Sequence, residues 1–182
     1  MSKSAFIEVR ILDTLAFVKA AKSLSFVESY CETKKDVKLF STHHHGIKVK
    51  FKDWLYPVVF EDGKAAYDNY EGNWGDTKNL DEFIREYTAF AAINAAEKEG
   101  TRVTSNTLVD DKRVLTMTKR NGKKIKLTCT NEGAHAEVIG CTGNQCDGVL
   151  DTVEGLGKVK STKLKPEYYE QEERERLREG EI

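Results

Sequence analysis

Two stretches of strict alternation constrain this chain more than anything else in it. Ile47, Val49 and Phe51 alternate with Lys48, Lys50 and Lys52, and Ile125, Leu127 and Cys129 alternate with Lys124, Lys126 and Thr128. Successive side chains of a strand point to opposite faces, so each stretch puts its apolar residues on one side and its polar ones on the other. A strand of this kind belongs to an antiparallel sheet covered on one face, and its lysines discourage edge-to-edge association.

The remaining pattern predicts what covers those faces. Residues 4–11 alternate as a first strand, and Asp13 is placed to cap a helix carrying Leu15, Val18, Ala21 and Leu24. Residues 26–32 and 37–42 read as strands around a turn at Lys34-Lys35-Asp36. Residues 56–60 and 64–70 flank Glu61-Asp62-Gly63, a hairpin signal. Asn79 starts a long helix with Glu82 in a capping box, an apolar face through Leu80, Phe83, Ile84, Tyr87 and Phe90, and Gly100 as its stop.

Strands over 102–109 and 113–119 follow, turning at Asp110-Asp111. Asn121-Gly122 suits either a hairpin turn or an interdomain joint. Beyond it come strands at 124–130 and 134–139, a short helix with Cys146, Val149, Leu150, Val153 and Leu156 on one face, and an extended piece over 158–164. The predicted fold is α+β: an antiparallel sheet with two helices over residues 1–120, followed by a small ββαβ unit over 121–165. Residues 166–182, with three basic and seven acidic side chains, read as a charged tail.

At 182 residues and 39% hydrophobic, the chain has material for a packed core. No run approaches the roughly 18 apolar residues of a membrane span. The N-terminal stretch lacks the apolar region of a secretion signal, so a cytoplasmic protein with no membrane partner is expected. Cysteines at 31, 129, 141 and 146 form no CxxC and read as reduced, mostly buried thiols. A net charge of −1 argues against nucleic acid, although the lysines at 48, 50, 52, 123, 124 and 126 could follow a phosphate backbone.

Two clusters carry potential chemistry. His43, His44 and His45 precede a strand, where at most His43 and His45 share a face and could share a metal ion, given further ligands from Cys31, Asp36 or Asp53. Without them the cluster is a polar turn; no metal and no cofactor is expected. Residues 67–76 bring together Tyr67, Asp68, Asn69, Tyr70, Glu71, Asn73, Trp74 and Asp76. The stretch reads as a partner- or ligand-binding loop, as an acid/base site using two of Asp68, Glu71 and Asp76, or as a structural turn. Trp74 is expected to be partly buried, with one edge on the Phe83/Tyr87 face of the long helix. No phosphate-binding glycine loop, nucleophile elbow or HExxH motif is present.

The blocks Asp53-Trp-Leu-Tyr-Pro-Val-Val-Phe60 and Ala66-Tyr-Asp-Asn-Tyr-Glu-Gly-Asn-Trp-Gly-Asp76, with Leu80-Asp-Glu-Phe83 and Tyr87, make residues 1–118 resemble a domain-of-unknown-function family. Its best-known member is a conserved hypothetical reading frame of plastid and cyanobacterial genomes. Residues 123–170 resemble a second, small bacterial family of unknown function through Gly140-Cys-Thr-Gly143-Asn-Gln-Cys146 and Lys165-Pro-Glu-Tyr-Tyr169. The chain looks like a fusion of the two. The resemblance implies neighbouring genes beside an AAA-type ATPase, and brings no established activity. The leading expectation is therefore a non-enzymatic adaptor that binds a protein partner of that class. The alternatives are a small metal- or ligand-dependent enzyme using residues 43–45 or 68–76, and a nucleic-acid-binding protein.

Overall fold

The computed structural model describes residues 3–141, 146 and 148–164. The predicted tail, the Tyr168-Tyr169 pair and residues 142–145 of the glycine-cysteine motif lie outside the described residues. In chain order the elements are β1 (Lys3–Val9), α1 (Thr14–Ser23), β2 (Val27–Lys38), β3 (His43–Phe51), β4 (Val58–Glu61), β5 (Lys64–Ala66), α2 (Thr77–Lys98), β6 (Arg102–Val109), β7 (Lys112–Thr118), β8 (Lys124–Cys129), β9 (Ala134–Ile139), α3 (Asp151–Glu154) and β10 (Gly157–Leu164). The class is α+β, and the strand pairings are antiparallel. Among the described residues no helix is long and apolar enough to cross a membrane.

Two compact units divide the chain, residues 10–91 and residues 3–9 with 92–164. In the first, β2, β3, β4 and β5 form a four-stranded sheet in that order. The lysine alternation of β3 behaves as its pattern dictates: Ile47, Val49 and Phe51 are buried while Lys48 and Lys50 keep partial exposure. Asp13 caps α1 as expected, its Oδ1 accepting from Ala16 N at 3.0 Å. The buried face of α1 is Ala16, Phe17, Ala20 and Ala21, whereas Leu15 is exposed. Phe17 lies 5.6 Å from Phe83 of α2 and 6.1 Å from Phe60 of β4, centroid to centroid, and Phe60 stacks on Phe83. The sheet, α1 and the first turns of α2 share this aromatic core.

A local signal decides the connection from β4 to β5. Asp62 (φ 50°) and Gly63 (φ 79°) are both left-handed, giving the tight turn that joins β4 to β5. The expected turn at Lys34-Lys35-Asp36 is instead a bulge in one continuous strand. Cys31 pairs with Lys48 and Lys35 with Gly46, so residues 32–34 stand opposite Ile47 alone.

In the second unit a six-stranded sheet runs β10-β1-β9-β8-β7-β6. Leu115, Met117, Ile125, Leu127, Cys129, Ala134, Ala136 and Val138 bury its dry face. Two expectations change. The first strand does not join the sheet of its expected 1–120 domain; β1 lies between β9 and β10, with Phe6 opposite both His135 and Ser161. Asn121-Gly122 is a hairpin turn and not a joint: Lys119 N donates to Lys123 O at 2.8 Å and Thr118 pairs with Lys124. A boundary at residue 120 would cut this ladder and expose two strand edges, so the expected ββαβ unit is part of a larger sheet. Its helix shrinks to the four residues of α3, although Cys146, Val149, Leu150, Val153 and Leu156 are buried as the periodicity requires. All four cysteines are free thiols, with Cys31 alone part-exposed.

Candidate binding surface

The tyrosine- and tryptophan-rich stretch between β5 and α2 is shaped by its backbone first. Tyr70 (φ 44°), Glu71 (φ 53°) and Gly72 (φ 92°) are left-handed in succession, which costs the two non-glycine residues about 1 kcal/mol each. A dense set of hydrogen bonds holds them there. Asn69 O accepts from Gly72 N (3.0 Å) and Trp74 N (2.9 Å), and Tyr70 O accepts from Asn73 N (3.0 Å) and Asn73 Nδ2 (2.9 Å). Asp68 Oδ1 accepts from Tyr70 N at 3.4 Å, and Asn69 Nδ2 donates to Gly75 O at 3.5 Å.

Two further contacts tie the loop to its surroundings. Leu55 N donates to Trp74 O at 2.8 Å, and Trp54 Nε1 to Asp76 O at 3.2 Å. Asp76 Oδ1 accepts from Lys78 N at 2.9 Å, so Asp76 caps α2, which begins at Thr77 and not at Asn79. Gly75 is required for close approach: a Cβ there would sit 2.3 Å from Trp54 Cδ2, and the Trp54 ring is buried.

These bonds sort the sequence-predicted residues into two groups. Asp68, Asn69, Asn73 and Asp76 spend polar groups on the loop's own backbone and on the helix start. The aromatic rings are what the loop presents outward. Tyr70 stacks on Trp74 at 4.9 Å and 28°, and Phe40 and Tyr56 reach Trp74 at 5.2 and 5.6 Å. Phe40 is 61% exposed, Tyr70 62% and Leu55 56%. Tyr56 rests on the buried Val37, Leu39 and Val59, which anchors the cluster to the sheet. Tyr67, itself exposed, leans edge-on against Trp54 at 5.7 Å.

Trp74 is partly buried as expected, but the expected neighbours are replaced. Its ring partners are Phe40, Tyr56 and Tyr70. The indole sealed into the core is Trp54, 5.4 Å from Phe51, which in turn meets Phe83. Phe40, Leu55 and Tyr56 are the members that sequence reasoning missed. Tyr56 stands inside a recognisable block, whereas Phe40 follows β2 with no motif around it.

The histidines form a separate arrangement. His44 Nδ1 is 3.0 Å from Glu61 Oε2 and its Nε2 3.0 Å from Thr42 Oγ1. His45 N donates to Glu61 Oε1 at 3.2 Å, and His45 Nδ1 lies 2.8 Å from Asp36 Oδ1. The His44 hydrogen bond, followed by the His45 amide, holds the Glu61 carboxyl below its ordinary value of 4.5. Of the two metal candidates, His45 is thus engaged with Asp36, and His43 is exposed at the strand start opposite Lys38. Among the described residues no three His, Cys, Asp or Glu side chains are grouped to hold a metal ion. On the lysine face of β3, Lys50 is ion-paired with Glu28 of β2.

Comparison with known proteins finds no matching family model, no matching curated protein and no matching solved structure. The meaning of the surface therefore rests on its geometry.

Proposed function

We propose that this chain is a non-catalytic accessory protein that docks a protein partner through the surface formed by Phe40, Leu55, Tyr56, Tyr70 and Trp74. The observation that carries the reading is the exposure of Phe40 and Tyr70, both packed against a half-buried tryptophan. Contiguous exposed aromatic rings hold apolar surface in water, which a partner would favourably bury, and aromatic anchors dominate protein interfaces. Tyr70 and Trp74 are also presented on a loop fixed by hydrogen bonds, so little ordering entropy opposes binding through them. The partner class suggested by the family resemblance is an AAA-type ATPase.

Quantitative co-purification from native cells tests this, comparing wild type with a folded Phe40→Ala/Tyr70→Ala variant. Enrichment of an AAA-type ATPase with wild type, lost in the variant, supports the reading. Equal enrichment with both proteins removes the surface from the interface, and enrichment with neither removes the ATPase.

A further inference from the structure

A cavity of about 370 Å³ opens beside the β4–β5 hairpin, lined by Arg10, His44, Glu61, Asp62, Lys64, Ala65 and Ala66. Its size falls within the roughly 300–1,000 Å³ of small-molecule sites. The wall is well anchored. Ile11 N donates to Gly63 O at 3.0 Å, and Arg10 O accepts from Tyr87 Oη at 3.1 Å. The Arg10 stem stands directly on the hairpin turn, since a Cβ on Gly63 would come within 2.9 Å of Arg10 Cβ.

The charges in this cavity are unevenly used. Glu61 spends one oxygen on His44 and the other on the His45 amide. The Arg10 guanidinium, the Lys64 ammonium and the Asp62 carboxylate have no hydrogen bond or ion pair among the described residues. Two cationic residues and one acidic residue thus line the same small space without a protein partner among the described residues, beside a second carboxylate that keeps spare lone pairs. A dianion such as phosphate would meet Arg10 and Lys64 but be opposed by Asp62 and Glu61. A divalent cation would meet the reverse opposition. A ligand carrying one charge of each sign satisfies both sets, and Ala65 and Ala66 add a short apolar wall.

We propose that this cavity binds a small zwitterion of the α-amino-acid class, its carboxylate taken by Arg10 and Lys64 and its ammonium by Asp62 and Glu61. Arginine's planar fork suits a carboxylate, and Asp62 supplies an acceptor with no competing donor. The site uses none of the aromatic docking residues, so it stands or falls separately from the proposed function.

Titration of the full chain with L-valine, followed by backbone amide NMR, tests the assignment. The expected result is saturable shifts at Asp62, Lys64 and Ala65. L-valinamide, which lacks the carboxylate, and 3-methylbutanoate, which lacks the ammonium, should each bind at least about tenfold more weakly. Arg10→Gln and Lys64→Gln should each weaken L-valine by a similar factor; neither removes a native side-chain bond, so both should keep a folded spectrum, and if one does not, the other decides. No saturable response to L-valine overturns the proposal. So does 3-methylbutanoate or inorganic phosphate binding as tightly as L-valine, which would make the cavity a plain anion site.

Discussion

Replacing Tyr87 by phenylalanine isolates one oxygen atom that joins α2 to the segment just ahead of α1. The ring is 1% exposed and the substitution keeps it. Its hydroxyl donates to Arg10 O at 3.1 Å and accepts from Leu12 N and Asp13 N, both at 2.9 Å. Leu12 N and Arg10 O also bond each other at 3.0 Å, so those two groups retain a partner. The loss falls most heavily on the Asp13 amide, one residue before α1 and within the residue that caps it.

At about 0.5–1.5 kcal/mol net for each neutral hydrogen bond, and with partial compensation between Leu12 and Arg10, Tyr87→Phe should destabilise by about 2 kcal/mol. Urea denaturation at pH 7 measures it; a loss below about 0.5 kcal/mol would refute the clamp. The pH dependence gives a second, independent reading. Burial raises the phenol above its ordinary value of 10.0, against the smaller opposing effect of the Asp13 and Leu12 amides. A raised value in the folded state means that stability is intact below pH 10 and falls as pH climbs above it, because only the unfolded chain ionises readily there. The difference between wild type and Tyr87→Phe should therefore be constant at neutral pH and shrink above pH 10. A difference that grows instead would mean that the phenolate is the stabilised form.

Four further substitutions address the surface and the histidines. Gly75→Ala places a methyl 2.3 Å from the buried Trp54 ring and should cost about 1–3 kcal/mol, with a shift in tryptophan emission; an unchanged denaturation midpoint and spectrum would show that the packing is looser than described. Tyr70→Ala should cost under about 1 kcal/mol, against about 3–5 kcal/mol for Trp54→Ala, and equal losses would contradict the division into presented and buried rings. Glu61→Gln should be less stable than wild type at neutral pH, with the gap closing as pH falls below 4.5, since a lowered carboxyl contributes only while ionised; a gap independent of pH between 3 and 7, followed by thermal denaturation, would assign the effect to packing alone.

Local rules account for the features of this fold that lie within a few residues. The Asp13 cap, the left-handed pair at Asp62-Gly63 and the stop at Gly100 follow from backbone sterics and nearby hydrogen bonds, and sequence carries that information directly. The alternation in β3 and β8 likewise determines which faces are dry. What covers a dry face is another matter. Leu15, Ala16, Phe17 and Val18 are apolar all round the first turn of α1, so periodicity selects no side, and the aromatic packing of Phe17 against Phe60 and Phe83 makes the choice.

The same limit governs the two tryptophans. Both stand in distinctive blocks, yet Trp54 enters the core because Gly75 lets the backbone press against its ring, leaving Trp74 to gather Phe40, Tyr56 and Tyr70 at the surface. β1 is the clearest case. Its alternation announces a strand, while its place between β9 and β10 depends on hydrogen-bonding edges more than a hundred residues away. An edge strand is stabilised by whatever strand completes it, and that energy belongs to the pair, so no reading of either segment alone contains it.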